Sequence, residues 1–416
     1  MNDWGELTER LRRMGVYLGL TEQKTARKTK LNPIEAVVSG RDLQTIYGPV
    51  FSVGKSYPLE WLHGDISLSP IDSFTRISRW ARAEASSLAQ LENFIFLDTE
   101  TTGLSGGTGT MAFMIGAARY RGSELVLEQF FLRNPAEESA QLAALESFCD
   151  GMQAIVSYNG KSFDLPIINT RYILNSMRSP FEGLAHFDLL GLTRRLWRPR
   201  LGACNLGNIE KQILKLSRTE NEVPGYLVPE YYADYLRTGD ASLLAGVFYH
   251  NQVDVVSLVA LFKLLAQILE APENWQNEYS KDVNALGALM EKIGETDLAA
   301  SVYARSLQAQ DLEDQIPAYL RSAAICKARG EYNQALGYWQ GAAAGGSIEA
   351  LIELAMYHEH KLRDPAEALR LTEQALQLSR ENGLDLKAIL HRRSRLLGKL
   401  ARLRPSGDAN EEPQRA

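Results

Sequence analysis

The distribution of apolar residues predicts a series of strands between residues 94 and 158. Residues 94–97 form an unbroken apolar run, which is typical of a buried strand. Apolar residues also dominate the segments 111–120, 125–132 and 154–158, and each of these predicts a further strand. The strands come close together along the chain, so we expect neighbouring ones to pair in one sheet.

Helical patterns lie between and after these strands. We predict helices at 141–149 and 165–175, and one or two helices over 241–270. Before residue 90 only 45–53 and 66–68 resemble strands, in an otherwise mixed region. Because strands come first and then alternate with helices, the pattern predicts an α/β domain with a mixed sheet and flanking helices on both faces.

Beyond about residue 275 the strand pattern ends and an all-α repeat begins. A small residue followed four positions later by an aromatic residue occurs at Ala299 and Tyr303 and again at Ala335 and Trp339. A weaker third copy starts at Ala368. The period, about 34 residues, is that of tetratricopeptide repeats. We expect the two aromatic side chains to pack between helices, and the repeats either to bind a protein or to brace the preceding domain.

The length of 416 residues is too great for one ordinary domain and predicts two or three. The patterns indicate four parts. They are a mixed N-terminal region at 1–91 that packs on the next domain, the α/β domain at 92–272, tetratricopeptide-like helical repeats at 273–402, and a disordered polar tail at 403–416.

Composition and charge narrow the possible functions. Hydrophobic residues make up 45% of the chain and charged residues 23%, which is typical of a soluble globular protein. The formal net charge of -6 argues against a protein that coats nucleic acid by bulk charge. The three cysteines are far apart and form no CxxC pair, so the sequence supports neither a zinc cluster nor a disulfide framework. A cytoplasmic location is therefore expected.

No membrane segment is expected from the sequence. The most apolar helical segment, 255–269, is interrupted by Lys263 and Gln267, and no apolar run approaches the length of a membrane span. The first residues include Asp3 and Glu6 and lack an apolar stretch, so they do not have the pattern of a signal peptide.

Candidate chemistry begins with two carboxylates at the end of the first predicted strand. Asp98 and Glu100 are two residues apart, and side chains at that spacing on a strand point to the same face. Like charges held close together are unfavourable unless a cation compensates them. Hard divalent cations prefer oxygen ligands, so this pair predicts a metal site.

Two more acids stand where they can join this pair. Asp164 follows the strand at 154–158 and precedes a helix, which places it at the carboxyl edge of the sheet, where sites collect. Asp254 lies four residues after His250, so both can share one helical face. Four carboxylates and one histidine are the residue types that two-metal phosphodiester hydrolysis uses. In that reaction we expect Asp98 to be the bridging ligand, and His250 to be the general base or to orient the attacking water.

The segment from Asp98 to Leu104 reads Asp-Thr-Glu-Thr-Thr-Gly-Leu and resembles the first motif of the DnaQ-like (DEDD) 3′→5′ exonucleases. Residues 159–164 resemble their second motif and 250–254 their third, so the resemblance covers about 92–270. It implies a ribonuclease H-like fold, two Mg²⁺ or Mn²⁺ ions held by the four acids, and contact of Gly103 and Leu104 with the terminal nucleotide.

The third motif departs from both common forms of that family. One form has tyrosine, three residues and then aspartate; the other has histidine, four residues and then aspartate. Here His250 takes the place of the tyrosine in the first spacing, and Tyr249 stands at the histidine position of the second. The whole arrangement also resembles the YprB-type ribonuclease H-like proteins of bacteria, which join such a domain to tetratricopeptide-like repeats.

Several other residues have two interpretations each. Asn159, Lys161 and Phe163 are candidate substrate contacts beside the second motif, although Phe163 could equally belong to the core. Asp188 is expected to serve as a helix cap or to form a buried hydrogen bond. The basic stretch 194–218 contains one acid, Glu210, and is either a phosphate-contacting rim or a solvated helix face.

The sequence favours an exonuclease acting on single-stranded DNA or RNA, with nucleic acid as its partner and a protein partner on the repeats. The alternative is a nucleic-acid-binding scaffold that retains the nuclease fold and recruits a protein through the repeats. The unusual third motif motivates this alternative, whereas the presence of all four acids argues against it. A structure-specific endonuclease would use the same site.

Overall fold

A computed structural model describes residues 31–83, 90–103, 109–219, 222–308 and 312–403. Three predictions fall outside these ranges. They are a helix that the sequence pattern predicts over residues 7–20, the substrate contact Leu104 and the tail from residue 404 onward.

Seven strands form one mixed sheet, and two short strands form a separate hairpin. The strands are β1 (Arg41–Thr45), β2 (Gly48–Pro58), β3 (Leu62–His63), β4 (Ile66–Ser67), β5 (Phe94–Thr101), β6 (Ala112–Arg121), β7 (Glu124–Phe131), β8 (Ala154–Ser157) and β9 (Ala185–Asp188). The sheet order is β1-β2-β7-β6-β5-β8-β9. Strand β5 pairs antiparallel with β6 and parallel with β8, and β8 pairs parallel with β9.

Helices pack on this sheet and then make up the rest of the described chain. They are α1 (Ile34–Val37), α2 (Thr75–Ala81), α3 (Glu138–Phe148), α4 (Asp164–Leu174), α5 (Leu189–Leu201), α6 (Leu206–Ile209), α7 (Val228–Thr238), α8 (Leu244–Glu270), α9 (Ser280–Lys292), α10 (Thr296–Ser306), α11 (Leu312–Ala328), α12 (Tyr332–Ala344), α13 (Ile348–His360), α14 (Pro365–Glu381) and α15 (Lys387–Leu403). The predicted fold class, a mixed α/β sheet followed by an all-α region, is confirmed.

The N-terminal strands differ from the prediction. A single strand over 45–53 is wrong, because a tight turn separates β1 from β2. The Thr45 hydroxyl accepts from the Tyr47 amide and donates to the Gly48 carbonyl, and Gly48 has a φ of 107°, which favours glycine. Strand β2 pairs with β7, so the central sheet includes residues that precede the boundary expected at 92.

Helix α8 is the core helix of the α/β part. Its length and its mean hydropathy of 1.8 would suffice to cross a bilayer, so the expectation that no apolar segment reaches that length is wrong. The most apolar window of the helix is 78% buried within the fold, where α8 packs on β5 and β6. Lys263 of this helix is buried, and its ammonium donates hydrogen bonds to the Ser67 and Ser69 hydroxyls.

The all-α region packs directly on the α/β part. Helix α9 lies against α5, and Leu286 and Met290 of α9 belong to the same apolar cluster as Trp197 and Phe262. Within this region successive helices contact each other, as the repeat pattern predicts. Gly287 permits one such contact, since a β-carbon there would lie 2.4 Å from the Tyr303 ring. The tetratricopeptide assignment and the domain boundaries remain predictions.

Candidate active site

Strand β5 presents its acidic side chains to α8. Its side chains alternate between the two faces of the sheet, and Phe94 and Phe96 pack against Phe262 of α8. Asp98 and Glu100 continue this same face beyond the apolar run. Glu100 is 9% exposed, so the strand holds a carboxylate at the edge of the core. Thr99 points to the opposite face.

Asp164 is the first residue of α4 and is 4% exposed. The Thr99 hydroxyl donates to its Oδ1 at 2.5 Å, which ties the second motif to β5. Gly160 permits a close approach in the preceding loop, since a β-carbon there would lie 2.3 Å from the Ser157 hydroxyl and 3.2 Å from Asp164 Oδ2. The local sequence therefore brings this carboxylate against the strand.

The loop before Asp164 is fixed by Asp188. This carboxylate accepts hydrogen bonds from the backbone amides of Asn159, at 2.8 Å, and Lys161, at 3.1 Å. It also caps α5 by accepting from the Leu190 amide. The structural role expected for Asp188 is thus observed, and it lies in β9, a strand that the apolar pattern did not predict.

Helix α8 also contributes Asn251, which lies within the third motif. This residue is fully buried, and its Nδ2 donates to Asp98 Oδ2 at 3.0 Å. Its Oδ1 accepts from Gln129 Nε2 at 2.9 Å, which fixes the orientation of the amide. Gly116, opposite Asp98 in β6, leaves the space, because a β-carbon there would lie 2.1 Å from Asn251 Oδ1.

His250 faces the same acids with one ring nitrogen. Its Nε2 lies 3.5 Å from Asp254 Oδ2 and 4.0 Å from Glu100 Oε1. The other ring nitrogen, Nδ1, lies 2.6 Å from Glu222 Oε1. The four-residue spacing thus places His250 and Asp254 at one spot, as predicted from the helical period.

Arg218 is a largely buried cation that contacts this cluster. Its guanidinium donates to both oxygens of Glu210, at 2.6 and 2.7 Å, and to Glu222 Oε1 at 2.7 Å. It also donates to Asp254 Oδ1. One arginine therefore compensates three acids, while Asp98, Glu100 and Asp164 have no arginine or lysine side chain within salt-bridge distance among the described residues.

Burial and mutual repulsion raise the carboxylate pKa values. Burial raises the pKa of Asp98 and Glu100 well above the usual range, and the neighbouring charges of Asp254 and Asp164 add to this. Burial also raises the pKa of Asp164 to about 6, although the hydrogen bond from Thr99 acts in the opposite direction. Burial raises the pKa of Asp254, against the lowering effects of His250 and Arg218. The cluster has more negative charge than its surroundings compensate.

The chemistry of these donors fits a divalent cation. Carboxylate oxygens are the ligands that Mg²⁺ and Mn²⁺ prefer, and an external cation would relieve the buried repulsion. Among the described residues no three acidic, histidine or cysteine groups already form a ligand set. One carboxylate oxygen of Asp98, Asp164 and Asp254 is bound by Asn251, Thr99 and Arg218, respectively.

The predicted substrate contacts within the described residues differ in how exposed they are. Gly103 follows β5, and a β-carbon there would meet no neighbour. Asn159 has a φ of 67° in the loop that precedes Asp164, and Lys161 in the same loop is exposed. Phe163 is partly buried and packs on the apolar cluster beneath α4, which matches its alternative interpretation as a core residue.

The sequence interpretation missed several residues of the site. Arg218 was assigned only to a basic stretch, and Asn251 and Glu222 were not singled out. Two signals were available: Asn251 stands beside His250, and Glu210 is the single acid of the basic stretch. The structure buries Glu210 and pairs it with Arg218.

Comparison with known proteins places this chain in a family. Residues 95–266 match the ribonuclease H superfamily. The uncharacterized protein YprB of Bacillus subtilis (strain 168) is 33% identical over 330 residues, which cover 77% of this chain and 78% of that protein. A PolC-type DNA polymerase III of Mycoplasma pneumoniae (strain ATCC 29342 / M129 / Subtype 1) is 27% identical over 253 residues, which cover 55% of this chain and 16% of the polymerase.

Among solved structures, the family B DNA polymerase from the hyperthermophilic archaeon Pyrobaculum calidifontis matches with a TM-score of 0.35 and 19% identity, over 55% of this chain and 29% of that one. The sequence match to YprB is much more extensive and spans both the sheet and part of the helical region. The chain belongs to the family of YprB and contains a ribonuclease H-like domain.

Proposed function

We propose that this protein is a metal-dependent 3′→5′ exonuclease that acts on single-stranded DNA or RNA. The observation that carries the proposal is the gathering of Asp98, Glu100, Asp164 and Asp254 from β5, α4 and α8 into one buried, undercompensated cluster. Such a cluster has no structural advantage by itself, because buried like charges destabilise a fold. A function that requires cations accounts for it.

Each residue of the cluster has a role in this proposal. Asp98, Glu100 and Asp164 would hold the cations, and Asp254 would join through Oδ2, the oxygen that Arg218 does not bind. When bound, two Mg²⁺ or Mn²⁺ ions supply the Lewis acidity that two-metal phosphodiester hydrolysis requires. Asn251 and Thr99 orient the carboxylates of Asp98 and Asp164.

His250 would serve as the general base. Its Nε2 faces the acids and can accept a proton from the attacking water. The water oxygen then bonds to phosphorus, the bond to the 3′-oxygen of the preceding nucleotide breaks, and a nucleoside 5′-monophosphate leaves. Gly103, Leu104, Asn159 and Lys161 are the proposed contacts to the terminal nucleotide.

Nucleic acid is supported as the substrate by a relative and by surface charge. The matched polymerase is by name a DNA polymerase, and its similarity covers 55% of this chain. Arg194, Arg195 and Arg198 are exposed on α5, and no ion pair of theirs is found in the described parts of the chain. Asp188 caps α5 and also fixes the loop before Asp164, so the N-terminus of this helix lies beside that loop. We propose that it contacts phosphates of the strand.

A nucleic-acid-binding scaffold is the second candidate function. The observation in its favour is the bond from Arg218 to Asp254, which occupies one oxygen of a proposed ligand with an internal cation. In either function the helical region would form tetratricopeptide-like repeats with a protein-binding surface, and the protein would act in the cytoplasm.

The proposal is tested with 5′-labelled single-stranded DNA and RNA oligonucleotides in Mg²⁺ or Mn²⁺, with and without chelator. We expect a ladder that shortens from the 3′ end, disappears with chelator and is absent in Asp98→Ala. A normal ladder in Asp98→Ala or in chelator would contradict the proposal. Tight binding of the oligonucleotides without any cleavage would favour the scaffold.

A further inference from the structure

Glu222 lies outside the three motifs, yet it directly contacts the proposed general base. Its Oε1 is 2.6 Å from His250 Nδ1, while His250 Nε2 faces Asp254 and Glu100. We propose that Glu222 is a positioning residue that fixes the ring orientation and the tautomer of His250. This inference rests on the proposed nuclease function, and it names the residue that makes His250 effective in an unusual third motif.

The chemistry of the contact determines the tautomer. Two groups lie at His250 Nδ1: Glu222 Oε1 at 2.6 Å and Arg218 Nη1 at 3.1 Å. Arg218 Nη1 already donates to Glu222 Oε1 at 2.7 Å, so the shorter contact to the carboxylate decides the tautomer. An ionised carboxylate only accepts hydrogen bonds, so His250 Nδ1 carries the hydrogen that it donates to Glu222. In a neutral imidazole the lone pair is then on Nε2, the nitrogen that faces the acids. The same arrangement, a carboxylate behind a histidine, orients imidazoles in other catalytic and metal sites.

The Glu222 carboxylate is itself held by a hydrogen bond from Arg218. Arg218 Nη1 donates to Glu222 Oε1 at 2.7 Å, and Arg218 is bound in turn by both oxygens of Glu210. Glu210 is 1% exposed and accepts a further hydrogen bond from Ser257 of α8 at 2.6 Å. The hydrogen bonds that hold Glu222 therefore lead through Arg218 and Glu210 to α8, the helix that carries His250. These contacts fix the orientation of the Glu222 carboxylate relative to His250.

Two simpler roles for Glu222 make different predictions. If Glu222 only paired with Arg218, its removal should leave kcat unchanged, because Arg218 already pairs with Glu210 and Asp254. As an additional metal ligand it would act without His250; its Oε2 is buried and has no hydrogen-bond partner among the described residues. A positioning residue, by contrast, must act only through His250.

The test is a double-mutant cycle on the full-length chain. We expect Glu222→Ala to lower kcat by about 10- to 100-fold with little change in KM, which is the usual effect of removing an orienting partner. In the His250→Ala background the same substitution should have no further effect. The matched control is Glu182→Ala, which breaks an exposed arginine–glutamate pair of the same spacing, that of Arg178 and Glu182, and should change neither constant.

Two binding and spectroscopic measurements do not depend on activity. Nitrogen NMR of histidine-labelled, metal-free protein should show the Nδ1–H tautomer for His250 in the wild type and in Glu182→Ala, and its loss in Glu222→Ala. Calorimetric titration with Mn²⁺ should give the same affinity for the wild type and Glu222→Ala.

The outcomes distinguish a failure of the positioning role of Glu222 from a failure of the proposed nuclease function. Equal losses of kcat in both backgrounds, an unchanged tautomer, or a Mn²⁺ affinity reduced tenfold would overturn the positioning role. A wild type that cleaves no oligonucleotide would contradict the proposed function, and the tautomer measurement would then still decide whether Glu222 positions His250.

Discussion

Two groups of buried acidic side chains among the described residues are compensated in opposite ways. In the helical region, the Glu359 side chain is fully buried and accepts hydrogen bonds from Arg395 at 2.6 and 2.7 Å. Arg392 and Lys399 lie 3.3 and 3.6 Å from the same carboxylate. In the acidic cluster beside the sheet, by contrast, Arg218 pairs with three acids, and Asp98, Glu100 and Asp164 have no arginine or lysine partner among the described residues.

The pKa values follow this difference. Burial would raise the pKa of Glu359, but the hydrogen bonds and charge of Arg395 outweigh it, and the pKa is lowered. Burial and neighbouring acids raise the pKa of Asp98 and Glu100. A buried acid that has its own cations is a structural element. A buried acidic cluster that lacks them requires positive charge from outside the chain.

The largest effect that would test this comparison is expected at Asp98. Asp98→Asn should lower nuclease activity by more than about 100-fold, since loss of a metal ligand costs at least as much as loss of its orienting partner. The metal-free variant should be at least as stable as the wild type, because one buried like charge is removed. Activity assays and thermal unfolding in chelator measure both. A variant that unfolds at a clearly lower temperature would show that Asp98 is structural.

The opposite result is expected for the compensated acid. Glu359→Gln should lower the free energy of unfolding by about 2 kcal/mol, because charged hydrogen bonds to Arg395 are lost. Nuclease activity should be unchanged. The matched control is Glu373→Gln on the neighbouring helix, where the exposed pair with Arg393 should contribute less than about 1 kcal/mol. Urea unfolding measures both variants, and equal losses would remove the distinction between the buried and the exposed pair.

A pH effect is expected at His63, which is buried beside the Arg218 network. Burial lowers the pKa of His63 to about 4; the charge of Glu210 opposes this shift and that of Arg218 adds to it. A lowered folded-state pKa means that stability is lost as the pH falls from about 6.5 towards 4. Relative to His63→Gln, the wild type should lose about 1–2 kcal/mol between pH 7 and pH 5.

The control for this variant is His391→Gln, which alters an exposed histidine of α15. It should leave the pH dependence of unfolding as it is in the wild type. A His63→Gln variant whose stability falls with acid as steeply as that of the wild type would show that His63 is not the responsible group.

The smallest effect is expected on the exposed face of α5. The double substitution Arg194→Ala and Arg198→Ala should weaken oligonucleotide binding by roughly tenfold at low salt and reduce the slope of log affinity against log salt by about 1.4. The control pair Arg380→Ala and Arg402→Ala removes the same charge from the helical region. If both pairs change binding equally, bulk charge rather than this surface attracts the substrate.

The sequence was sufficient to predict the sheet class and to single out the candidate acidic residues, because both depend on local patterns. Asp98 and Glu100 follow an apolar run at strand spacing, and His250 and Asp254 share a helical face. Contacts between distant segments could not be read in this way. Asn251 binds Asp98 across 153 residues of sequence, and no local period reports such a contact.

The missed strands have a physical explanation as well. Strand β9 is short, and only Phe187 of its four residues is fully buried, so it has no apolar run. Strand β1 lies at the edge of the sheet, and its residues are exposed or half-buried. Polar strands of this kind are specified by their pairing partners rather than by their own composition.

The shared apolar cluster of α5, α8 and α9 has a consequence for how the protein denatures. Because Leu286 and Met290 complete the same cluster as Trp197 and Phe262, the ribonuclease H-like part and the first helical pair cannot lose their packing independently. We expect one calorimetric transition for these parts, with the later helices free to melt separately. A chain ended at residue 272 would leave the partner surface of α9 on α5 uncovered, and we expect it to aggregate.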